Sequence, residues 1–190
     1  MSSSNKITAL NLPMVNPLPS DTQKYFDVCQ EKLGLVPNVL KAFAFDIVKL
    51  NSFVSMYNEL MLSESGLSKL DREMIAVTVS SINKCFYCLT AHGAAIRQIS
   101  GDPKLGEMIA MNYKVAPLTK RQRAMLDFVE KVTSKSSDIQ ESDRQLLREY
   151  GFSDRDIWDI ANVAAFFNMT NRLSSAVDMK PNDAYHGQFR

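Results

Sequence analysis

Apolar residues recur along this chain at intervals of three and four, and nowhere do they alternate with polar ones over the length of a strand. That rhythm predicts helices throughout. Tyr25, Phe26, Cys29 and Leu33 line one side of a first helix, with Ser20 or Asp21 as its cap and Gly34 as its stop. After an extended stretch over 36–38, VLKAFAFDIVKLNSFVSMYNELM predicts one long helix or two short ones, and SESG breaks it. Ser68, with Asp71 three places on, signals the start of a helix reaching about Ile82; Asn83 and Lys84 form a joint before the next. Gly101 with Pro103, and then Pro117, separate two further helices. A compact one follows over ESDRQLLREY, with Ser142 as its cap and Gly151 as its stop. Ser153 or Asp154 opens the longest apolar-periodic segment of the second half, DRDIWDIANVAAFFNMTNRLSSAVDM.

The expectation is an all-α protein. An extended N-terminal segment covers 1–19, a single helical domain 20–182, and a polar tail 183–190 that lacks fixed structure unless a partner holds it. At 190 residues the chain is long enough to bury a core of its own. Lysine plus arginine number 22 against 21 acids, which leaves no basic footprint for nucleic acid. The opening residues lack the basic-then-apolar order of a secretory signal, and no apolar run is long enough to span a bilayer. A soluble, cytoplasmic protein is expected, and there three cysteines are not a disulfide framework.

The chemistry concentrates in NKCFYCLTAHG. Two of the three cysteines and one of the two histidines fall within eight residues: Cys85, Cys88 and His92. On a helical wheel they share one stripe with Ala95, Ile96 and Ile99, while Tyr87, Thr90, Ala91 and Gln98 lie away from it. Both cysteines fall at the expected helix start, where unpaired amides and the helix dipole favour a thiolate. CxxC spacing also permits a reversible disulfide. On the preceding helix, Glu73 lies beside Ser80 among apolar neighbours, where desolvation would suit a carboxylate to general-base work; a surface glutamate near a helix start is the plainer reading. Three readings compete for the trio. A metal site has the right ligand types but lacks an evident fourth ligand unless Glu73 or Cys29 supplies it. A redox dithiol with an imidazole proton shuttle uses every feature at once, and two core cysteines with a satisfied histidine use none. Cys29 reads as a core thiol and His186 as an exposed, idle imidazole. Asn168, Asn171 and Arg172 in FNMTNR can line a pocket, cap a helix or meet another subunit.

Glu73, Cys85 twelve residues on, Cys88 three beyond and His92 four beyond resemble the signature of the alkylhydroperoxidase AhpD-like branch of the carboxymuconolactone decarboxylase superfamily. VPN at Val36, GFSDRDIWDI and FFNMTNR look like its peroxidase-related subgroup. The resemblance implies an AhpD-like domain of orthogonally packed helices that assembles into a homo-oligomer (dimer, trimer or hexamer). It implies a thiol peroxidase or disulfide oxidoreductase that acts on hydroperoxides, needs no cofactor and is reset by an external dithiol. Carried over, Cys88 is the peroxidatic thiol, Cys85 the resolving thiol, Glu73 the base that starts a proton relay and His92 its member nearest Cys88. The family pattern has a second histidine where this chain has Tyr87, a phenol that can pass a proton but titrates far from neutrality. A regulatory or metal-binding CxxC protein without turnover, and a decarboxylase-like lyase, are the alternatives.

Overall fold

Each capping signal that closes on its own helix gives a sharp start in the computed structural model, which describes residues 6–190. The first five positions of the expected N-terminal segment lie outside the described residues. From residue 6 the chain has no regular structure until α1 (Ser20–Leu33), which Gly34 ends in a left-handed conformation at φ 73°. Pro19, rather than Ser20 or Asp21, occupies the N-cap of α1. The next apolar stretch splits into α2 (Asn38–Phe43) and α3 (Ile47–Leu62), because Asp46 accepts from the amides of Val48 and Lys49 and starts a new helix there. The central helix α4 (Lys69–Ile82) opens on a reciprocal box between Ser68 and Asp71. Then follow α5 (Phe86–Ser100), α6 (Pro103–Asn112), α7 (Lys120–Ser134), α8 (Glu141–Glu149), α9 (Asp154–Ala176) and the short α10 (Ala184–Gly187). The box that starts α8 joins Gln140 to Asp143, two residues before the Ser142 expected as its cap.

All residues over 71–80 of α4 are buried, since α5, α6, α7 and α9 surround it. The core joins Ile75 and Val79 of α4 to Met125 and Leu126 of α7 and to Ile160 and Phe166 of α9. Side chains of this size contribute about 1.5–3 kcal/mol each on burial. A smaller cluster, with Phe26, Leu40, Ala44 and Leu50, holds α1 to α3 together. The N-terminal segment is pinned to the end of α9 by two backbone bonds of 2.8 Å, Ala9 to Val177 and Lys180 to Ile7. Among the described residues no strand occurs, and no helix is long and apolar enough to cross a membrane.

The joint between α4 and α5 places the chemistry. Asn83 and Lys84 turn the chain, Lys84 at φ 54°, and the amide of Cys85 donates to the Ser80 carbonyl at 2.9 Å. A left-handed lysine costs about 1 kcal/mol. The turn delivers Cys85 to the N-cap of α5 in extended backbone.

The tail is ordered, contrary to its polar composition. Arg97 of α5 donates from Nε to the Gln188 carbonyl (3.0 Å) and from Nη2 to the Tyr185 carbonyl (2.7 Å). His186 is exposed and packs on the Phe86 ring, with centroids 5.8 Å apart.

Candidate active site

Seven residues along α4 separate Glu73 from Ser80, which puts both on the flank that faces α5 and α9. Glu73 is 8% exposed, and its Oε2 lies 2.7 Å from His92 Nδ1 across the α4–α5 contact. The surface-glutamate reading is thereby excluded. A carboxylate at Nδ1 fixes the imidazole with its Nδ1 proton directed to Glu73, leaving Nε2 for other partners. The ring is also held edge-on by Phe167, with centroids 4.7 Å apart and planes at 82°.

Cys85 and Cys88 are both buried free thiols. They do not ionise alike. The Cys85 thiol is pushed down to about 6, first because Cys88 donates its own S–H to the Cys85 sulfur. The Cys88 amide, the charge of His92 and the Ser175 hydroxyl add to this against the opposing effect of burial. Cys88 moves the other way, well above the usual thiol range, because its proton is held by Cys85 and because it is buried. Asn171 and Ser174 partly offset that rise. One proton is thus shared between two sulfurs, with the charge on Cys85.

Helix α9 supplies the third wall. Asn171 is fully buried; its Nδ2 donates to Ser80 Oγ (3.0 Å) and its Oδ1 accepts from Asn83 Nδ2 (3.1 Å). Ser80 in turn donates to the Ala76 carbonyl (2.6 Å), and Asn83 donates also to Asn168 Oδ1 (3.0 Å). This network locks the joint that carries Cys85 to α9. Asn171→Ala leaves buried polar groups of Ser80 and Asn83 short of partners, and should cost about 2 kcal/mol, measured as a lower midpoint of urea unfolding at unchanged slope. Arg172 points outward and donates to the Asn168 carbonyl (2.7 Å).

A cavity of about 660 Å³ opens on this group. Cys88, His92 and Glu73 line it together with Phe53, Tyr57 and Phe166. Cys85 lies behind it, in a small cluster with Tyr87, Met179 and Ile7. Cys29 is buried as expected, yet it too borders the cavity, and burial raises its thiol. A second concavity of about 460 Å³, around Ser63, Arg155 and Trp158, contains no thiol.

Three placements depart from the wheel, the first being Ala91, which packs in the cluster of Cys85 and Cys88 and lines the cavity rather than turning away. Tyr87 is 5% exposed rather than turned away, and its hydroxyl accepts from the Val39 amide at 2.9 Å. Burial holds that phenol far above its ordinary range, so the group anchors α2 to α5 as a neutral side chain. Ile99 is 44% exposed, because α5 turns Gly93, Ala94, Ile96 and Arg97 inward instead. Sequence reasoning missed Ser174 and Ser175, three and four places beyond Asn171, and the cavity lining by the tail. Helical spacing from Asn171 is the signal that could have found the two serines; nothing local marks the tail. Among the described residues no group of three or more His, Cys, Asp or Glu side chains is arranged to hold a metal ion.

Comparison with known proteins gives the family and the fold. Residues 50–111, which include Glu73, Cys85, Cys88 and His92, match the Carboxymuconolactone decarboxylase family. An uncharacterized peroxidase-related protein from Silicibacter sp. TM1040 is 69% identical, with a TM-score of 0.96 over 100% of both chains. An alkylhydroperoxidase AhpD core protein, also uncharacterized and peroxidase-related, from Ralstonia eutropha JMP134 is 40% identical, with a TM-score of 0.94 over 98% of both chains. The debrominase Bmp8, solved in complex with 2,3,4-tribromopyrrole, shares the fold at 17% identity and a TM-score of 0.77, over 98% of this chain and 97% of that one. No curated protein matches the chain.

Proposed function

The chain belongs to the AhpD-like, peroxidase-related branch of the carboxymuconolactone decarboxylase superfamily, and from that premise we propose that it is a thiol peroxidase. Its dithiol, Cys85 with Cys88, reduces hydroperoxides with the help of the Glu73–His92 pair. The observation that carries this reading is that Cys88 and His92 open on one apolar cavity, while Cys85 stands behind Cys88 as the thiolate partner.

A hydroperoxide enters the cavity, and the Cys88 proton passes to the Cys85 sulfur to which it is already bonded, while His92, steadied through Nδ1 by Glu73, brings a proton from solvent on Nε2. The Cys88 thiolate attacks the terminal peroxide oxygen; the O–O bond breaks, Cys88 becomes a sulfenic acid, and the alkoxide leaves with the proton from His92. Cys85 then attacks the Cys88 sulfur. The S–OH bond breaks, and hydroxide departs as water with the Cys85 proton, which His92 relays, leaving a disulfide. The two electrons taken by the peroxide are returned by an external dithiol through exchange. Tyr87 takes no part, because its hydroxyl serves the Val39 amide.

The test is the intact mass and thiol count of reduced protein before and after one equivalent of tert-butyl hydroperoxide. Loss of about two mass units, with the two missing thiols mapped to Cys85 and Cys88, supports the reading. Thiols that remain free overturn it.

The shared proton also gives a pH signature. Thiolate absorbance of the reduced protein should show one ionisation per chain with its midpoint at about 6, from Cys85. The fraction of that thiolate falls about tenfold per pH unit below the midpoint. The second ionisation of the pair should appear only well above the ordinary thiol range. A single step releasing both protons near the ordinary thiol range would contradict the asymmetry.

A further inference from the structure

We propose that the C-terminal residues 184–189, clasped by Arg97, form the size-selecting wall of the thiol cavity, admitting compact apolar hydroperoxides and turning away bulky ones; this rests on the peroxidase reading for the chemistry but not for the gate. Arg97 is 6% exposed, and both of its bonds go to backbone carbonyls of the tail. Among the described residues it pairs with no carboxylate. Glu107, the acid nearby, is engaged by Arg190 at 2.9 Å. Both hydrogen bonds of this buried guanidinium go to the tail, and the Glu107 carboxylate acts on it only from beyond bonding distance.

The stretch between the two fixed points is what reaches the cavity. On one side Asn182 accepts from the Asn38 amide (2.7 Å) and donates to the Val36 carbonyl (3.0 Å), which fixes the start of the tail to α2. On the other side stands Arg97 on α5. Between them α10 is four residues long, too short to persist without support. From this bridge Tyr185, Gln188 and Phe189 line the same cavity as Cys88. The opposite walls are Val39, Leu40, Phe53 and Phe166. A ligand bound at Cys88 is therefore flanked by apolar and aromatic surface, one side of which is held by two hydrogen bonds.

The experiment measures accessibility of Cys88 in the full, reduced chain, read by fragment-ion mass spectrometry so that Cys88 is counted apart from Cys85 in the same peptide and from Cys29. Wild type, Arg97→Gln and Tyr185→Ala are treated with iodoacetamide, which is small, and with a pyrene maleimide, which is bulky. Tyr185 is half-buried on the short bridge, so its replacement leaves the core intact even if the loss of Arg97 does not. Both variants should accelerate the maleimide at Cys88 by about tenfold or more while leaving iodoacetamide within about twofold. Unchanged maleimide rates, or equal acceleration of both reagents, overturn the wall. Turnover of cumene hydroperoxide relative to hydrogen peroxide should rise in the same variants. If wild type consumes neither peroxide, the peroxidase reading fails, while the alkylation ratio still decides the gate.

Discussion

Cys88→Ser abolishes hydroperoxide consumption, with a loss of at least about 10⁴-fold, as expected when the sole nucleophile of a covalent cycle is removed. The argument is one of access. Cys85 holds the thiolate at rest but lies behind Cys88, among Tyr87, Met179 and Ile7. Cys88 borders the cavity and shares it with His92. A serine hydroxyl in its place has neither the acidity nor the soft sulfur that attacks a peroxide oxygen. Cys85→Ser should behave differently: one equivalent of peroxide is consumed, and a sulfenic acid accumulates on Cys88 that a dimedone-type reagent captures. Peroxide consumption in both variants is followed with equimolar tert-butyl hydroperoxide. Full turnover by Cys88→Ser, or a sulfenic acid on Cys85, reverses the assignment.

The second large effect belongs to the carboxylate. Glu73→Gln should lower kcat/KM by about 10²-fold, within the range that positioned acid–base groups supply. The amide keeps the shape of the side chain but removes the charge that stabilises a protonated His92, and it can no longer fix the imidazole tautomer. Folding should survive, because the neutral amide costs less to bury than a carboxylate and its Oε1 can still accept from His92 Nδ1. The check is stopped-flow disulfide formation alongside a thermal melt. A rate within twofold of wild type would remove Glu73 from the mechanism.

How much of this was legible in the sequence depended on range. Boxes such as Ser68 with Asp71 and Ser153 with Asp156 are local, and they mark helix starts without any knowledge of neighbours. The four-residue spacing of Cys88 and His92 is local too. A wheel misplaces Tyr87 and Ile99, because it reports which residues share a side and not which side is covered: α2 covers Tyr87, while Ile99 stays 44% exposed. Asn171 reads equally as a cap, a contact or a pocket residue in the sequence, since its partners Ser80 and Asn83 lie 91 and 88 residues earlier. The tail reads as loose because Arg97 holds it by two backbone carbonyls, which have no letter in the sequence, and because Arg190 meets Glu107 across 83 residues.

That same hold has an evolutionary consequence. Since Arg97 grips the main chain, the identity of the gripped residues is not inspected, and substitutions at Tyr185 or Gln188 leave the clasp in place. Descendants of this protein can therefore explore new cavity walls one side chain at a time while the thiols, the relay and the core stay under their own separate constraints. Diversification of substrate range should be concentrated in the last few positions of the chain, with Arg97 held fixed.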